Sequence, residues 1–282
     1  MPAVGYGVGI IGGHFARLWN VVCNTTAFLN YRRAERQKKM QIEPNTFICA
    51  DSIEVLREIK DKEFDLCLTD PPYGIGRDGS RFSTGSHGGR KPYEFRGWDS
   101  SIPDAAYFDE MFRVSTNQII WGANYFTRHL PAKMCWLFWD KGQRIRNSDG
   151  ELAFTSFDTA LRVVEYNRVE LLKDGAVHPT QKPVALFVWC LLNYSKPGDF
   201  IIDPFCGSGT TAIACHKTGR TFLCIDKDEE YIKIARQRYA DLIAQQDLFR
   251  QNEDGAQNTS EGRGTAPNSA SMQNAQVELD LL

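Results

Sequence analysis

Short apolar runs alternate with segments of helical periodicity between residues 45 and 245. The apolar runs predict strands at 45–50, 64–69, 118–121, 134–140, 200–203 and 221–225, with a further return to the sheet within 158–166. The periodic segments predict helices at 52–59, 104–114, 183–192, 209–218 and from residue 228 onward. Such alternation predicts an α/β fold in which a mixed, mostly parallel sheet is covered by helices on both faces.

The two ends of the chain differ from this regular part, which predicts one domain over 40–247. Residues 1–39 end in a basic run and show no core pattern, so we expect them to be dispensable. They fit a DNA-contacting arm, a solvated end, or an extension upstream of a natural start at Met40, and the last is our preferred interpretation. After Phe249 no aromatic residue follows, and the polar composition predicts a disordered tail over 248–282.

Composition narrows the functional class. The 282 residues are 42% hydrophobic and 24% charged, as in soluble globular proteins, and the formal net charge is −2. Any basic surface for nucleic acid must therefore be local. Eight cysteines occur without a Cys-x-x-Cys pair or a Cys/His cluster, which predicts reduced thiols, a cytosolic protein and no metal site. No apolar run approaches the roughly 18 residues of a membrane span.

The sequence Asp70-Pro71-Pro72-Tyr73 ends the apolar run 64–69. Because proline cannot continue a strand ladder, the run must stop abruptly there. An acid, a backbone carbonyl and an aromatic ring are then held on a rigid elbow at the carboxyl end of a strand, where open α/β sheets bind ligands. The alternative is a structural Pro-Pro turn with Tyr73 in ordinary packing.

A second motif, Asp203-Pro204-Phe205-Cys206-Gly207-Ser208-Gly209-Thr210, follows the strand 200–203. Its glycines let the backbone approach a ligand, and helix 209–218 then presents free N–H groups. Asp226 ends the next predicted strand, where a carboxylate can accept hydrogen bonds from two ribose hydroxyls. The pattern predicts a nucleoside-bearing cofactor, and its alternative is a purely structural β–α turn.

A loop over 74–104 is too long for a simple connection. It mixes basic residues with Phe82, Tyr93 and Phe95, a combination suited to a single-stranded or flipped nucleotide, although a plain surface loop fits as well. A shorter polar stretch with basic residues follows at 141–150. The candidate DNA-contacting residues in the two segments are Arg77, Arg81, His87, Arg90, Lys91, Arg96, Lys141, Arg144 and Arg146.

Three motifs together resemble a known family. Asp70-Pro71-Pro72-Tyr73, His178-Pro179-Thr180-Gln181-Lys182-Pro183 and the glycine-containing motif at 203–210 are similar to those of amino-group DNA methyltransferases that use S-adenosylmethionine. The catalytic motif precedes the cofactor motif, as in the circularly permuted beta group. The resemblance covers roughly 45–245 and implies a Rossmann-like methyltransferase domain, with DNA-facing loop 74–104 and a short target-recognition region at 141–177.

The resemblance also implies residue roles. Asp70 and the Pro71 carbonyl would accept the two amino hydrogens of the target base, while Tyr73 would stack on that base after it is flipped out. The catalytic set is Asp70, Pro71, Pro72 and Tyr73, with no metal. The cofactor-binding set is Asp51, Ser52, Thr180, Lys182, Asp203, Phe205, Gly207, Gly209, Thr210 and Asp226. Within it, Asp226 would bind the ribose, Asp51 the adenine amino group, and Thr180 and Lys182 the methionine end.

The resemblance also implies adenine N6 as the methylated atom, because the acidic Asp-Pro-Pro-Tyr form is commoner on adenine enzymes of this family, with cytosine N4 as the alternative. From another class, the chain could be an inactive DNA-binding or clamp-associated module. The expected partners are double-stranded DNA and a second copy of the chain in a homodimer. Gln245-Gln246-Asp247-Leu248-Phe249 resembles peptides that dock on the bacterial sliding clamp, although its apolar end could equally fold back on the core.

Overall fold

The structure is a computed structural model that describes residues 40–76, 99–142, 148–166 and 181–260, with side chains described as far as residue 247. A small unit contains Met40, Gln41 and Glu58–Lys60, in which the Met40 N–H donates to the Glu58 carbonyl at 3.1 Å. The remaining described residues belong to a second, larger unit. The predictions for residues 1–39 and for the tail beyond Ser260 fall outside the described residues.

Strands and helices alternate through the larger unit. The strands are β1 Thr46–Cys49, β2 Phe64–Thr69, β3 Ser115–Trp121, β4 Trp136–Asp140, β5 Gly150–Thr155, β6 Arg162–Glu165, β7 Phe200–Asp203 and β8 Thr221–Asp226. The α-helices are α1 Ser52–Glu58, α2 Ala105–Val114, α3 Val184–Tyr194, α4 Thr210–Thr218 and α5 Glu229–Ser260. Two 3₁₀ turns, Ala123–Tyr125 and Thr127–His129, follow β3. No helix of these described ranges has the length and apolarity needed to cross a membrane.

The strands form one sheet in the order β1-β8-β7-β2-β3-β5-β4-β6. Every neighbouring pair is parallel except β3–β5 and β5–β4, so β5 alone runs against the others. The predicted α/β class with a mostly parallel mixed sheet is confirmed.

The centre of the sheet contains a topological switch point. Strands β2 and β7 are parallel neighbours, but the chain continues from β2 to β3 on one side and from β7 to β8 on the other. Connections that leave in opposite directions open a crevice at the carboxyl ends of the two central strands. The Asp-Pro-Pro-Tyr elbow and the glycine-containing motif both begin at this crevice.

Strand β5 was not predicted. Its apolar run is only Leu152-Ala153-Phe154, which is too short to give a clear period. The strand is stabilised by its antiparallel neighbours β3 and β4, and Phe154 packs against Trp136 with ring centroids 6.0 Å apart. Contacts distant in sequence therefore decide its conformation.

The last helix is longer than the sequence indicated. The polar composition predicts an ordered domain that ends at residue 247, whereas α5 continues to Ser260. The added segment contains Gln, Asn, Glu and Ala but no proline, so nothing in it forbids helical geometry. Low hydrophobicity was thus an incomplete guide to where the helix ends.

Arg220, at the start of β8, joins the ends of two helices. It is 6% exposed, and its Nη2 donates to the carbonyls of Leu191 at 3.1 Å and Ser195 at 2.8 Å. Its Nε donates to Ser195 Oγ at 3.0 Å, and its Nη1 donates to the Thr218 carbonyl. A single guanidinium thus satisfies carbonyls that helix ends leave without intrahelical partners.

Arg220→Met should lower the free energy of unfolding by about 2–4 kcal/mol, because buried carbonyls lose charged donors while the apolar stem is retained. Urea titration followed by circular dichroism measures the change. The matched control is Arg57→Met, which removes an exposed arginine from α1 and should shift stability by less than about 0.5 kcal/mol. Equal effects of the two substitutions would contradict the bridging role of Arg220.

Candidate active site

A cleft of about 1060 Å³ lies where the central strands end, and the sequence motifs line it. The predicted residues that it brings together are Asp51, Ser52, Asp70, Pro71, Pro72, Tyr73, Lys141, Lys182, Asp203, Phe205, Gly207, Thr210 and Asp226. Gly209 forms the N-cap of α4 directly beside this lining. The predicted residues outside the described part of the chain are Thr180, Arg77, Arg81, His87, Arg90, Lys91, Arg96, Arg144 and Arg146.

Strand register explains why the acids meet. Cys67 of β2 lies opposite Ile202 of β7, and Asp203 lies opposite Cys224 of β8. Asp70 and Asp226 therefore each stand just beyond the level of Asp203, one on either side of it. Parallel pairing places all three carboxylates at one edge of the sheet.

Asp203 lies at the base of the cleft and connects its parts. Only 3% exposed, it accepts hydrogen bonds from Thr69 Oγ1 at 2.7 Å, from the Phe205 N–H at 3.1 Å and from the Thr211 hydroxyl. Burial raises the pKa of Asp203 to about 7, although these donors oppose the shift. The carboxyl joins β2, the glycine-containing loop and α4.

The glycine-containing loop uses its two glycines differently. Gly207 has φ +49°, and the space that a Cβ would occupy there is open to a ligand. Gly209 has φ +82°, and a Cβ on it would lie 2.8 Å from the Ala235 Cβ, so glycine lets α4 approach α5. One glycine thus leaves room for a ligand and the other for a helix.

Asp226 and Asp51 lie at the ends of the neighbouring strands β8 and β1. Asp226 accepts the Gly207 N–H and the Asp228 N–H, each at 2.9 Å, and burial raises its pKa. Asp51 accepts the Tyr107 hydroxyl at 2.7 Å, and the Tyr107 ring lies 5.6 Å from that of Phe205. Two acids beside aromatic rings and an open glycine fit the ribose and base of a nucleoside.

The Asp-Pro-Pro-Tyr elbow is fixed by its own contacts. The Tyr73 hydroxyl donates to Asp70 Oδ1 at 2.5 Å, and Asp99 Oδ1 accepts the N–H of Tyr73 at 2.7 Å. The Tyr73 ring stacks on Tyr125 at a centroid distance of 4.8 Å. It also lies against Gly122, where a Cβ would come within 1.9 Å of Tyr73 Cε1. Base stacking by Tyr73 stays a prediction, and one face of the ring already carries Tyr125.

A compact charge cluster surrounds Asp70. Lys182 Nζ lies 2.6 Å from Asp70 Oδ2, 3.0 Å from Glu151 Oε2 and 3.0 Å from the Tyr73 hydroxyl. Lys141 Nζ lies 2.6 Å from Glu151 Oε1. The charge cluster therefore consists of two acids and two lysines, namely Asp70, Glu151, Lys141 and Lys182.

Both lysines of the charge cluster have partners that the sequence did not indicate. Lys182, expected at the methionine end of a cofactor, directs its ammonium group to Asp70. Lys141, expected on DNA, has a side chain only 8% exposed and pairs with Glu151. In this structure the Lys141 charge is balanced inside the protein instead of being presented to phosphates.

Mutual attraction sets the charge states of the cluster. Burial would raise the pKa of Glu151, but Lys182 and Lys141 overcome it and lower that pKa to about 2. Burial raises the pKa of Asp70, with Lys182 opposing the shift. For Lys182, burial favours the neutral amine, yet Asp70 and Glu151 outweigh it and raise the pKa. Ionic partners thus keep Glu151 and Lys182 charged in a site of low exposure.

The sequence did not indicate several residues of the cleft, among them Glu151, Tyr125, Tyr107 and Asp99. Glu151 belongs to the unpredicted strand β5, while Tyr125 follows β3 in a 3₁₀ turn. The available signal for Glu151 was an acid at the start of a short apolar run. Asp99 lies in a long loop and gave no sequence signal.

The segment proposed to dock on a clamp, residues 245–249, lies entirely within α5. Gln246 Oε1 lies 2.7 Å from the His216 Nε2 of α4. The side chains of Leu248 and Phe249 lie outside the described side chains, so the clamp contact stays a prediction.

Comparison with known proteins adds independent information. Residues 131–237 match the N6/N4 methyltransferase family described as DNA methylase. The type II methyltransferase M.HpaI of Haemophilus parainfluenzae is 27% identical over 237 residues, covering 68% of this chain and 73% of the relative. M2.LlaDCHI of Lactococcus lactis subsp. cremoris is 27% identical over 237 residues, covering 67% and 87%. The crystal structure of the M1.HpyAVI–SAM complex aligns with TM-score 0.45 and 22% identity, covering 68% of this chain and 98% of that one.

The cleft brings a carboxylate on a rigid elbow and residues that could hold a nucleoside to the carboxyl ends of one α/β sheet. The family match over residues 131–237 and the two relatives show that the chain is similar to DNA methyltransferases of the N6/N4 type.

Asp203→Asn should change how stability depends on pH. With its pKa near 7, the folded carboxyl holds a proton that an unfolded aspartate releases near pH 4. Between pH 4 and pH 7 the folded state binds more protons than the unfolded state. Asp203 therefore makes the wild type less stable as pH rises through this range. The substitution removes this titration while retaining the shape of the side chain.

Urea titrations between pH 4 and pH 7 should show the wild type losing about 4 kcal/mol relative to Asp203→Asn as pH rises. Asp109→Asn, on the exposed face of α2, is the control and should show no such trend. A wild-type-to-variant difference that stays constant with pH would refute the shifted pKa.

Proposed function

We propose that this protein transfers a methyl group from S-adenosylmethionine to adenine N6 of a base flipped out of double-stranded DNA. The main support is that the Asp70 elbow and the nucleoside-fitting residues around Asp226 face one cleft. A methyl acceptor and a nucleoside cofactor can therefore meet there without any large rearrangement of the sheet.

The residues of the cleft fit S-adenosylmethionine. Asp226 would hold the ribose hydroxyls and Asp51 the adenine amino group, while the open space at Gly207 admits the nucleoside close to the backbone. When bound, this cofactor supplies an electrophilic methyl group. Thr180 completes the predicted set but lies outside the described residues.

Asp70 and Pro71 would prepare the target amine. An exocyclic amine is a poor nucleophile because its lone pair is delocalised into the ring. Acceptance of its two N–H groups by the Asp70 carboxylate and the Pro71 carbonyl would localise that lone pair and direct it. A carboxylate has about four acceptor positions, so Asp70 can receive an amine hydrogen while it keeps Lys182 and Tyr73. Positioning and fixed electrostatics would supply the catalysis.

The amine must lose one proton as it gains a methyl group. Asp70 is the nearest predicted acceptor, since its carboxylate would already receive an amine hydrogen. Burial raises the pKa of Asp70, which makes it a better proton acceptor than an exposed aspartate. The neighbouring Lys182 opposes that rise in the pKa of Asp70.

The choice between adenine N6 and cytosine N4 follows from the acidic Asp-Pro-Pro-Tyr form, and the same geometry would serve either amine. The purified protein should be incubated with unmethylated genomic DNA and labelled cofactor, and the DNA then digested to nucleosides for mass spectrometry. N6-methyladenine would support the proposal. N4-methylcytosine would instead show that the protein methylates cytosine N4, the alternative. DNA binding without methyl transfer would favour the inactive binding module. The homodimer, the clamp contact and a cytoplasmic location stay predictions.

Asp70→Ala should leave cofactor affinity near that of the wild type but reduce methyl transfer at least about a hundredfold, because the amine loses its acceptor. Calorimetry with S-adenosylmethionine and single-turnover methylation separate the two effects. Asp70→Asn keeps the shape without the charge and should also be impaired, whereas Glu54→Ala on exposed α1 should not be. Near-normal turnover of Asp70→Ala would rule out the assigned role.

Asp226→Ala should weaken S-adenosylmethionine binding by about 1.5–3 kcal/mol, because the ribose loses a charged acceptor. The Gly207 N–H loses the same acceptor, so Asp226→Asn, which keeps one acceptor oxygen, should be milder. Asp109→Ala provides an exposed control. Unchanged affinity on calorimetry would place the ribose elsewhere.

A further inference from the structure

Strand β5, which is separated from β2 by β3 in the sheet, brings Glu151 into the cleft. Glu151 pairs with Trp139 in the antiparallel β4–β5 register, and Gly150 pairs with Asp140. A Cβ at Gly150 would lie 2.4 Å from the Phe138 Cζ and 2.5 Å from the Trp139 carbonyl oxygen. Glycine at this position lets β5 approach β4 closely, which fixes where the Glu151 carboxylate emerges.

Each oxygen of Glu151 has its own lysine. Oε1 lies 2.6 Å from Lys141 Nζ, and Oε2 lies 3.0 Å from Lys182 Nζ. Oε2 also accepts the Tyr73 hydroxyl at 3.3 Å. The same ammonium group of Lys182 lies 2.6 Å from Asp70, so Lys182 links Glu151 directly to the Asp70 carboxylate.

The charge cluster is neutral overall, with its lysines buried and its acids partly exposed to the cleft. Lys141 is 7% exposed and Lys182 is 6% exposed, while the side chains of Asp70 and Glu151 are each 21% exposed. With both acids ionised, two negative charges balance two positive ones. In a site of low dielectric, loss of one charge leaves a partner uncompensated and changes the proton affinity of the others.

We propose that Glu151 is a positioning residue for methyl transfer, which holds Lys182 against Asp70 while Lys141 balances its charge. The inference rests on the proposed function and adds to it a residue on a strand that contains none of the three motifs. Glu151 acts through Lys182, and its carboxylate need not touch the transferred methyl group.

The charges that face Asp70 predict how Glu151 changes the proton affinity of Asp70. The charged groups are Lys182 just before α3, Glu151 on β5 and Asp203 at the end of β7, with Lys141 behind Glu151, and the neutral Tyr73 hydroxyl donates to Asp70. Glu151 repels negative charge on Asp70 and divides the attraction of Lys182 between two acids. Removing its charge should therefore lower the proton affinity of Asp70, and removing Lys141 should raise it.

The first measurement needs no activity. Carboxyl-carbon NMR of the full chain would follow the Asp70 titration, with Asp70→Asn used to assign the signal. We expect the pKa of Asp70 to fall by at least about one unit in Glu151→Gln. It should rise in Lys141→Gln and stay close to the wild-type value in Glu151→Asp, which retains the charge. An Asp70 pKa that is the same in wild type and Glu151→Gln would overturn the inference.

The second measurement is methylation of duplex DNA against pH. Glu151→Gln should lower kcat about a hundredfold, because Lys182 and Asp70 lose their fixed geometry, and should move the acid limb of the profile to lower pH. Affinity for S-adenosylmethionine should change less than about twofold. In Glu151→Asp, kcat should fall less than in Glu151→Gln, and the acid limb of the profile should stay at the wild-type pH.

Several outcomes separate this role from a merely structural one. Loss of kcat with an unshifted acid limb would overturn the inference, as would a loss of cofactor affinity equal to the loss of kcat. If Glu151→Gln does not fold, Lys141→Gln decides, since an unshifted Asp70 titration in that folded variant is equally contradictory. A wild-type protein that methylates no DNA would overturn the proposed function, whereas the NMR titration still tests the coupling of Glu151 to Asp70.

Discussion

Strands β2 and β7 are parallel neighbours at the centre of the sheet, and the chain leaves them in opposite directions. This pairing determines where the elbow at Asp70 and the glycine-containing loop can lie. The hydrogen bond from Thr69 to Asp203 at 2.7 Å connects the two strand ends, so the elbow at Asp70 and the glycine-containing loop are held at a fixed separation. An acceptor site and a cofactor site built on adjacent strands need no moving domain to bring them together.

The cleft also concentrates charge where solvent is scarce. Buried ionic groups are a weak source of stability, because the loss of hydration offsets most of their attraction. The charge cluster around Asp70 is therefore better explained by chemistry than by folding. In the proposed reaction Asp70 accepts an amine hydrogen, which requires partners that orient the carboxylate and oppose the rise of its pKa, and Lys182 lies 2.6 Å from it.

The parts of the site that the sequence predicted are those encoded locally. Two consecutive prolines end β2 wherever that strand lies, glycines permit the turn after β7, and Asp226 follows an apolar run. Glu151 could not be predicted in the same way, because β5 exists only through pairing with β3 and β4. Its place beside Lys182 depends on the order of strands in the sheet, and that order is not written in any short segment.

The lysines show why residue type alone does not assign a binding role. Lys141 was expected on DNA because it follows a strand in a polar, basic stretch, yet Glu151 neutralises it inside the protein. The chain has a formal net charge of only −2, and two of its lysines balance acids within the charge cluster. Between Arg77 and Arg96 the sequence carries five Lys/Arg against two Asp/Glu. A local basic excess of this kind can attract the phosphate backbone although the whole protein is slightly acidic, and the proposed DNA contact would rest on it.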